Sequence, residues 1–178
     1  MQYLDKIQNK TWRSIYKGVI SVQRFAALAV GIAVPLIVVY QVILRYVLKA
    51  PLMGIEELLI FPIIWLYMLG GSVASEQRTH ISCGILTLYM KKERTIKLFN
   101  CAKSLFSNVV CLWICYWGWW YFDYSLNLWK TSDILHIPMF LAESAIFIGF
   151  ILMLFFGILE MIDDFIAYYH YTKEAKKK

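Results

Sequence analysis

The chain has 178 residues, 60% of them hydrophobic, and a formal net charge of +6. A water-soluble domain of this size needs far more polar surface, so the composition excludes an ordinary soluble enzyme and points to an integral membrane protein. The excess of basic residues needs no nucleic acid to explain it, because acidic lipid headgroups offer the same charge.

Residues 25–44, 58–75 and 104–122 contain no charged side chain, and 144–159 is a shorter run of the same kind with a mostly apolar approach from Ile134. A hydrocarbon core about 30 Å thick takes about 20 helical residues to cross. The expected fold is therefore an all-α integral membrane protein with four spanning helices and short interfacial amphipathic helices beside them. The spans are expected at about 23–45, 56–76, 103–123 and 139–161 of a single membrane domain, 1–178. Only short connections and tails are left over, which gives no room for an extramembrane catalytic domain.

Charge placement sets the topology. Lys6, Lys10, Arg13, Lys17 and Arg24 precede the first run; Arg78, Lys91, Lys92, Arg94, Lys97 and Lys103 lie between the second and third; Lys173 and Lys176, Lys177 and Lys178 close the chain. Only Arg45, Lys49 and Lys130 fall on the other side. The positive-inside rule then puts both termini in the cytoplasm.

In chain order, Leu4, Ile7, Trp12, Ile15, Tyr16 and Val19 form an approximate helical stripe among basic residues, which suits an amphipathic helix lying in the membrane interface. Trp12 would anchor it; a soluble arm is the alternative. Pro35 lies inside the first span, where neighbouring helices can satisfy the carbonyl it frees. Arg45 closes that span, and Glu56 and Glu57 open the next one after a short turn. Carboxylates are favoured at a helix N-terminus, and pairing with Arg45 would lower the cost of holding charge near hydrocarbon. Arg45 with Glu56 or Glu57 is thus a candidate pair, within the chain or across a subunit contact; the alternative is that all three snorkel.

The second span carries Pro62 and the small patch Gly70, Gly71 and Ser72. Arg78 and His80 follow, where His80 is expected to hydrogen-bond the turn that redirects the chain. Ile81, Ile85 and Leu88 recur at helical spacing and suggest a segment lying along the membrane. In the third span, Trp119 and Trp120 fit an outer aromatic belt, with Trp113 deeper. Cys111 and Cys115 share a helix face and read as small apolar packing residues, since no His or carboxylate stands beside them at metal-ligand spacing. The connection 123–138 is apolar for an aqueous loop, and Trp129 in it is a further interface anchor. Glu143, in the first or second turn of the last span, is expected to face protein, with Arg45 as a candidate neighbour. Glu160, Asp163 and Asp164 mark the exit of that span.

The chain carries no phosphate-binding G-x-x-x-x-G-K-[ST] loop, no H-E-x-x-H site and no iron–sulfur cysteine pattern. Its charges collect near span ends, whereas conduction or proton pumping leaves a richer polar record inside the membrane. An accessory membrane subunit with no catalytic residues, cofactor or metal is the reading these residues give.

In layout the chain resembles the small membrane subunit of tripartite ATP-independent periplasmic (TRAP) transporters over nearly its full length. The likeness rests on Arg45, Glu56-Glu57, Trp65, Gly70, the Ala74…Arg78-x-His80-Ile81 segment, Gly118, Ile137-Pro138 and Gly149. Family members commonly have a proline shortly before the position of Gly149; this chain has Ala145-Ile-Phe-Ile-Gly149. The resemblance implies a large permease subunit that moves substrate and sodium by an elevator-type motion, and a periplasmic binding protein that delivers the substrate. It implies an organic acid as that substrate, of sialic acid or C4-dicarboxylate type, with overall likeness leaning to sialic acid. The small subunit would then be a scaffold in the bacterial inner membrane. Two other readings stand beside it: an autonomous small oligomeric transporter or channel, and the membrane anchor of a redox enzyme. His80, His136 and His170 all lie near ends or in connections, which disfavours paired haem ligation in the second.

Overall fold

The computed structural model describes residues 10–50, 53–78 and 93–175. Four helices account for most of them: α1 (Lys10–Tyr46), α2 (Ile55–Gln77), α3 (Glu93–Leu128) and α4 (Phe140–Ala175). Each charge-free run lies inside one helix, as the backbone requires when no water is present to satisfy its N–H and C=O groups. All four are long and apolar enough to cross a membrane, and the protein is an all-α, multi-pass membrane protein.

The helices overrun the runs that seed them. α3 and α4 have 36 residues each, about 54 Å at 1.5 Å per residue, against roughly 40–45 Å for a bilayer with its headgroups. At the start of the chain the same overrun corrects one expectation. Residues 10–22 run without a break into the first span, so Trp12, Ile15, Tyr16 and Val19 of the stripe belong to the opening of α1; Leu4 and Ile7 lie outside the described residues. Charged residues end a hydrophobic run but do not end a helix once water is available to solvate them. Pro35 and Pro62 sit inside α1 and α2 without terminating either. Ile81, Ile85, Leu88 and His80 lie outside the described residues.

The main helix contacts are α3 with α4, α4 with α2, and α2 with α1. The helices thus stand in a row, α3–α4–α2–α1, with α2 and α4 central and parallel. α1 and α3 run the other way, which brings the start of α1 and the end of α4 to the same end of the row. That end is called the basic end below.

Small residues let the central pair approach closely. A Cβ on Gly149 would lie 2.7 Å from Met68 Cβ, and one on Gly71 would lie 2.5 Å from Met153 Cε. Each helix thus offers a methionine to the other's glycine, and Ala142 and Ala145 are fully buried in the same seam. Without a hydrophobic driving force between helices in lipid, such close van der Waals packing carries much of the association. Between α1 and α2 a small apolar cluster of Leu44, Ile55 and Leu59 does the same, flanked by Ile37 and Ile63.

Candidate functional site

Polar side chains fasten the row at both of its ends, and the chemistry differs between them. At the basic end, Arg24 of α1 pairs with Glu76 of α2 at 2.6 Å. Arg78, just past α2, pairs with Asp163 of α4. Arg78 takes a left-handed backbone conformation (φ 55°) as the C-cap of α2, and its N–H bonds the carbonyls of Ala74 and Ser75. Glycine usually occupies such a position because it has no Cβ to crowd the backbone; here the guanidinium's hold on Asp163 offsets the strain of using arginine. Next to it, Ser104 of α3 donates to Asp164 of α4. One turn deeper, buried Asn108 donates to the carbonyls of Ser104 (2.8 Å) and Gly157 (3.0 Å). A Cβ on Gly157 would fall 2.8 Å from Asn108 Oδ1, so that amide would have to shift. Ring contacts complete this end: Tyr16 meets Phe156 edge to face at 6.1 Å, and Lys97 Nζ lies 4.3 Å from the Tyr171 ring centroid. Two ion pairs and one serine–carboxylate bond thus join all four helices.

At the opposite end the carboxylates are held by neutral donors. Glu57 points from the first turn of α2 into the connection between α3 and α4. It accepts from Ser132 Oγ at 2.8 Å, from the backbone N–H of Ile134 at 3.0 and 3.2 Å, and from that of Leu135 at 3.0 Å. The connection is closed on itself as well: Met139 N–H donates to Lys130 O at 2.8 Å and Ser132 N–H to Ile137 O at 2.9 Å. Leu135 covers Gly54, where a Cβ would lie 2.7 Å from Leu135 Cδ2. Glu143 of α4 accepts from Tyr121 Oη at 2.8 Å and from Ser125 Oγ, both on α3. Trp65 Nε1 donates to Leu141 O at 2.8 Å, tying α2 to α4. Glu56 accepts from Gln41 Nε2 of α1 at 3.3 Å.

Within the chain these partners differ from the expected ones. Within the chain, no ion pair joins Arg45 to Glu56, Glu57 or Glu143 among the described residues. The Arg45 guanidinium instead lies 5.9 Å from the Tyr46 ring centroid. Glu57 and Glu143 reach hydrogen-bond donors on the neighbouring connection and helix, and O–H and N–H dipoles satisfy a carboxylate without a second charge. Asp163 and Asp164 are more than exit markers: both bond across helices. Sequence reasoning passed over Ser104 and Asn108; their signal was their being the polar members of a helix face otherwise filled by Cys101, Cys111 and Cys115. Cys111 itself packs in this seam, its Sγ 3.9 Å from Phe150 O.

Of the expected anchors, Trp119 and Trp120 are exposed on α3, and Trp129 is exposed while stacking on Phe140 at 5.8 Å. The Trp12 side chain lies outside the described residues, as does His80.

A row of helices long and apolar enough to span a membrane, fastened at both ends and lined with exposed apolar side chains, defines a multi-pass membrane protein. The family described as tripartite ATP-independent periplasmic transporters, DctQ component, matches residues 34–167. The chain belongs to that family, the small membrane subunit of TRAP transporters, whose members work with a large permease and a periplasmic binding protein. A comparison with curated proteins returns no match.

Proposed function

We propose that this chain is a non-catalytic scaffold subunit of a sodium-coupled TRAP transporter in the bacterial inner membrane. In this reading it steadies a large, elevator-type permease while that subunit carries an organic acid, of sialic acid or C4-dicarboxylate type, received from a periplasmic binding protein. Membership of the DctQ family over residues 34–167 carries the proposal. The open row supports it. Four helices set side by side widen a partner's footprint, and wide contact with lipid resists tilting when a neighbouring domain moves across the bilayer. The basic end faces the cytoplasm, as its charge favours. Trp119, Trp120 and Trp129 lie in the outer aromatic belt and fix depth there, with Trp12 doing so at the cytoplasmic face. Arg45 and Glu56, both exposed, are available for contacts with the permease, while Glu57 and Glu143 shape the outer surface from within.

Co-purification from native membranes tests the reading. A large multispanning permease is expected in the complex. Vesicles holding both subunits, supplied with the binding protein and a sodium gradient, should take up the organic acid, and vesicles with this chain alone should not. Uptake by this chain alone would support an autonomous transporter instead.

A further inference from the structure

The two ion pairs at the basic end are oriented alike. Their carboxylates point inward, with the side chains of Glu76 and Asp163 each 8% exposed, and their guanidiniums point outward, with Arg24 41% and Arg78 38% exposed. Formal charge cancels within each pair, yet the surface they show is cationic. A guanidinium has five N–H donors. Each of these commits Nη2 to its carboxylate, and the exposed remainder faces outward.

Tyr16 joins the pairs into one cluster. Its phenol lies within electrostatic reach of Glu76, Arg78, Arg24 and Asp163, and its ring is held edge to face on Phe156 of α4. Further cations stand on the same side of α1. Arg13 and Lys17, both exposed, precede Arg24 by eleven and seven residues, spacings that return to one helix face.

Depth selects the ligand. Arg24 abuts the charge-free run 25–44, and Arg78 stands three residues past the end of 58–75, about 4.5 Å along the axis. Lipid phosphates occupy the layer of about 5–8 Å that separates hydrocarbon from water on each side, so both guanidiniums reach phosphate depth. A planar fork of N–H donors matches two phosphate oxygens. Val22 and Phe25, 70% and 73% exposed, flank Arg24. They offer apolar surface to acyl chains, from which a free phosphate ion gains nothing.

We propose that Arg24 and Arg78, with Tyr16 beside them, seat the phosphodiester of an anionic phospholipid at the corner where α1, α2 and α4 meet. The bound lipid holds the start of α1 against the central pair. Such a seat is independent of the transported substrate and of the partner subunits.

The full-length chain, purified from native membranes with the subunits that accompany it, provides the test. Returned to nanodiscs of equal phosphatidylglycerol and phosphatidylcholine, it is released into a native mass spectrometer and its bound lipids are counted. Wild type should retain phosphatidylglycerol over phosphatidylcholine about tenfold. Arg24→Gln with Glu76→Gln, combined with Arg78→Gln and Asp163→Asn, removes both guanidiniums without leaving a buried carboxylate unpaired, and should abolish the preference. Lys17→Gln, on the exposed Arg24 face, should reduce it about threefold. Lys103→Gln, exposed on α3 at the same end, should leave it unchanged. No preference in wild type, or one that survives the fourfold exchange, would overturn the seat. So would an equal loss in Lys103→Gln, the mark of diffuse attraction, or displacement of the lipid by millimolar inorganic phosphate, the mark of a free-ion site. Should the fourfold variant not fold, an unchanged preference in Lys17→Gln decides against the seat.

Discussion

The two ends of the helix row solve one problem in two ways. Both must hold carboxylates close to hydrocarbon, where an unsatisfied charge is costly. At the basic end, where arginines are plentiful, Glu76 and Asp163 are neutralised by Arg24 and Arg78. At the opposite end, where cations are few, hydroxyls and backbone N–H groups take the cation's place around Glu57 and Glu143. The first arrangement cancels charge and locks helix to helix. The second shapes a connection through hydrogen bonds alone. The lesson is that charge count alone does not foretell pairing; the dipoles within reach decide it.

Removing the buried half of the Arg78–Asp163 pair should break the comparison most strongly. With Asp163 side chain only 8% exposed and Arg78 38%, Asp163→Ala should cost about 2–3 kcal/mol, below the full penalty for a buried pair because Arg78 reaches water. Thermal unfolding of the detergent-solubilised chain measures it, and Arg78→Ala added to it should restore part of the loss. A result near zero would mean that the ion pair does not fasten α2 to α4. Next in size is Glu143→Leu, which strips two hydroxyls of their acceptor and should cost about 1–2 kcal/mol. Its effect should be insensitive to salt, since no cation is involved. Arg24→Gln comes third, at about 1 kcal/mol: Glu76 is as buried as Asp163, at 8% exposed, but glutamine keeps a hydrogen-bond donor for it and this site is open to water on the Arg24 side. Here added salt should shrink the difference from wild type, and a salt-independent loss would mark the contact as packing. Glu57→Gln sharpens the contrast without moving global stability. The connection should loosen locally, read as faster maleimide labelling of Ile134→Cys on the Glu57→Gln background, while the melting temperature stays put.

Much of the fold was legible because hydrocarbon is an unforgiving solvent. Runs without charge, long enough to cross it, became helices. The central seam was less so: Gly70 and Gly71 flagged close packing, yet only Gly71 meets a neighbour, Met153, while a Cβ on Gly70 would find open space. Gly149, legible only as a family landmark, proves to be a seat for Met68. Glu57 and Glu143 were readable as polar contacts, but Arg45 as their partner was not found within the chain. A sequence displays formal charges plainly and hides the N–H groups of a folded connection, so a carboxylate seated on Ile134 and Leu135 looks in advance like one waiting for an arginine. The Arg78–Asp163 pair was obscured for another reason. It needs α2 and α4 to be parallel neighbours, and helix order within the membrane is not written in hydropathy.

Glu57 has one more consequence. Through a single side chain, the entry of α2 and the link between α3 and α4 share one fate: a push on that link is delivered straight to the helix at the centre of the row. A protein alighting on that end of the row would therefore press on the whole assembly at once and not on a pliant tether.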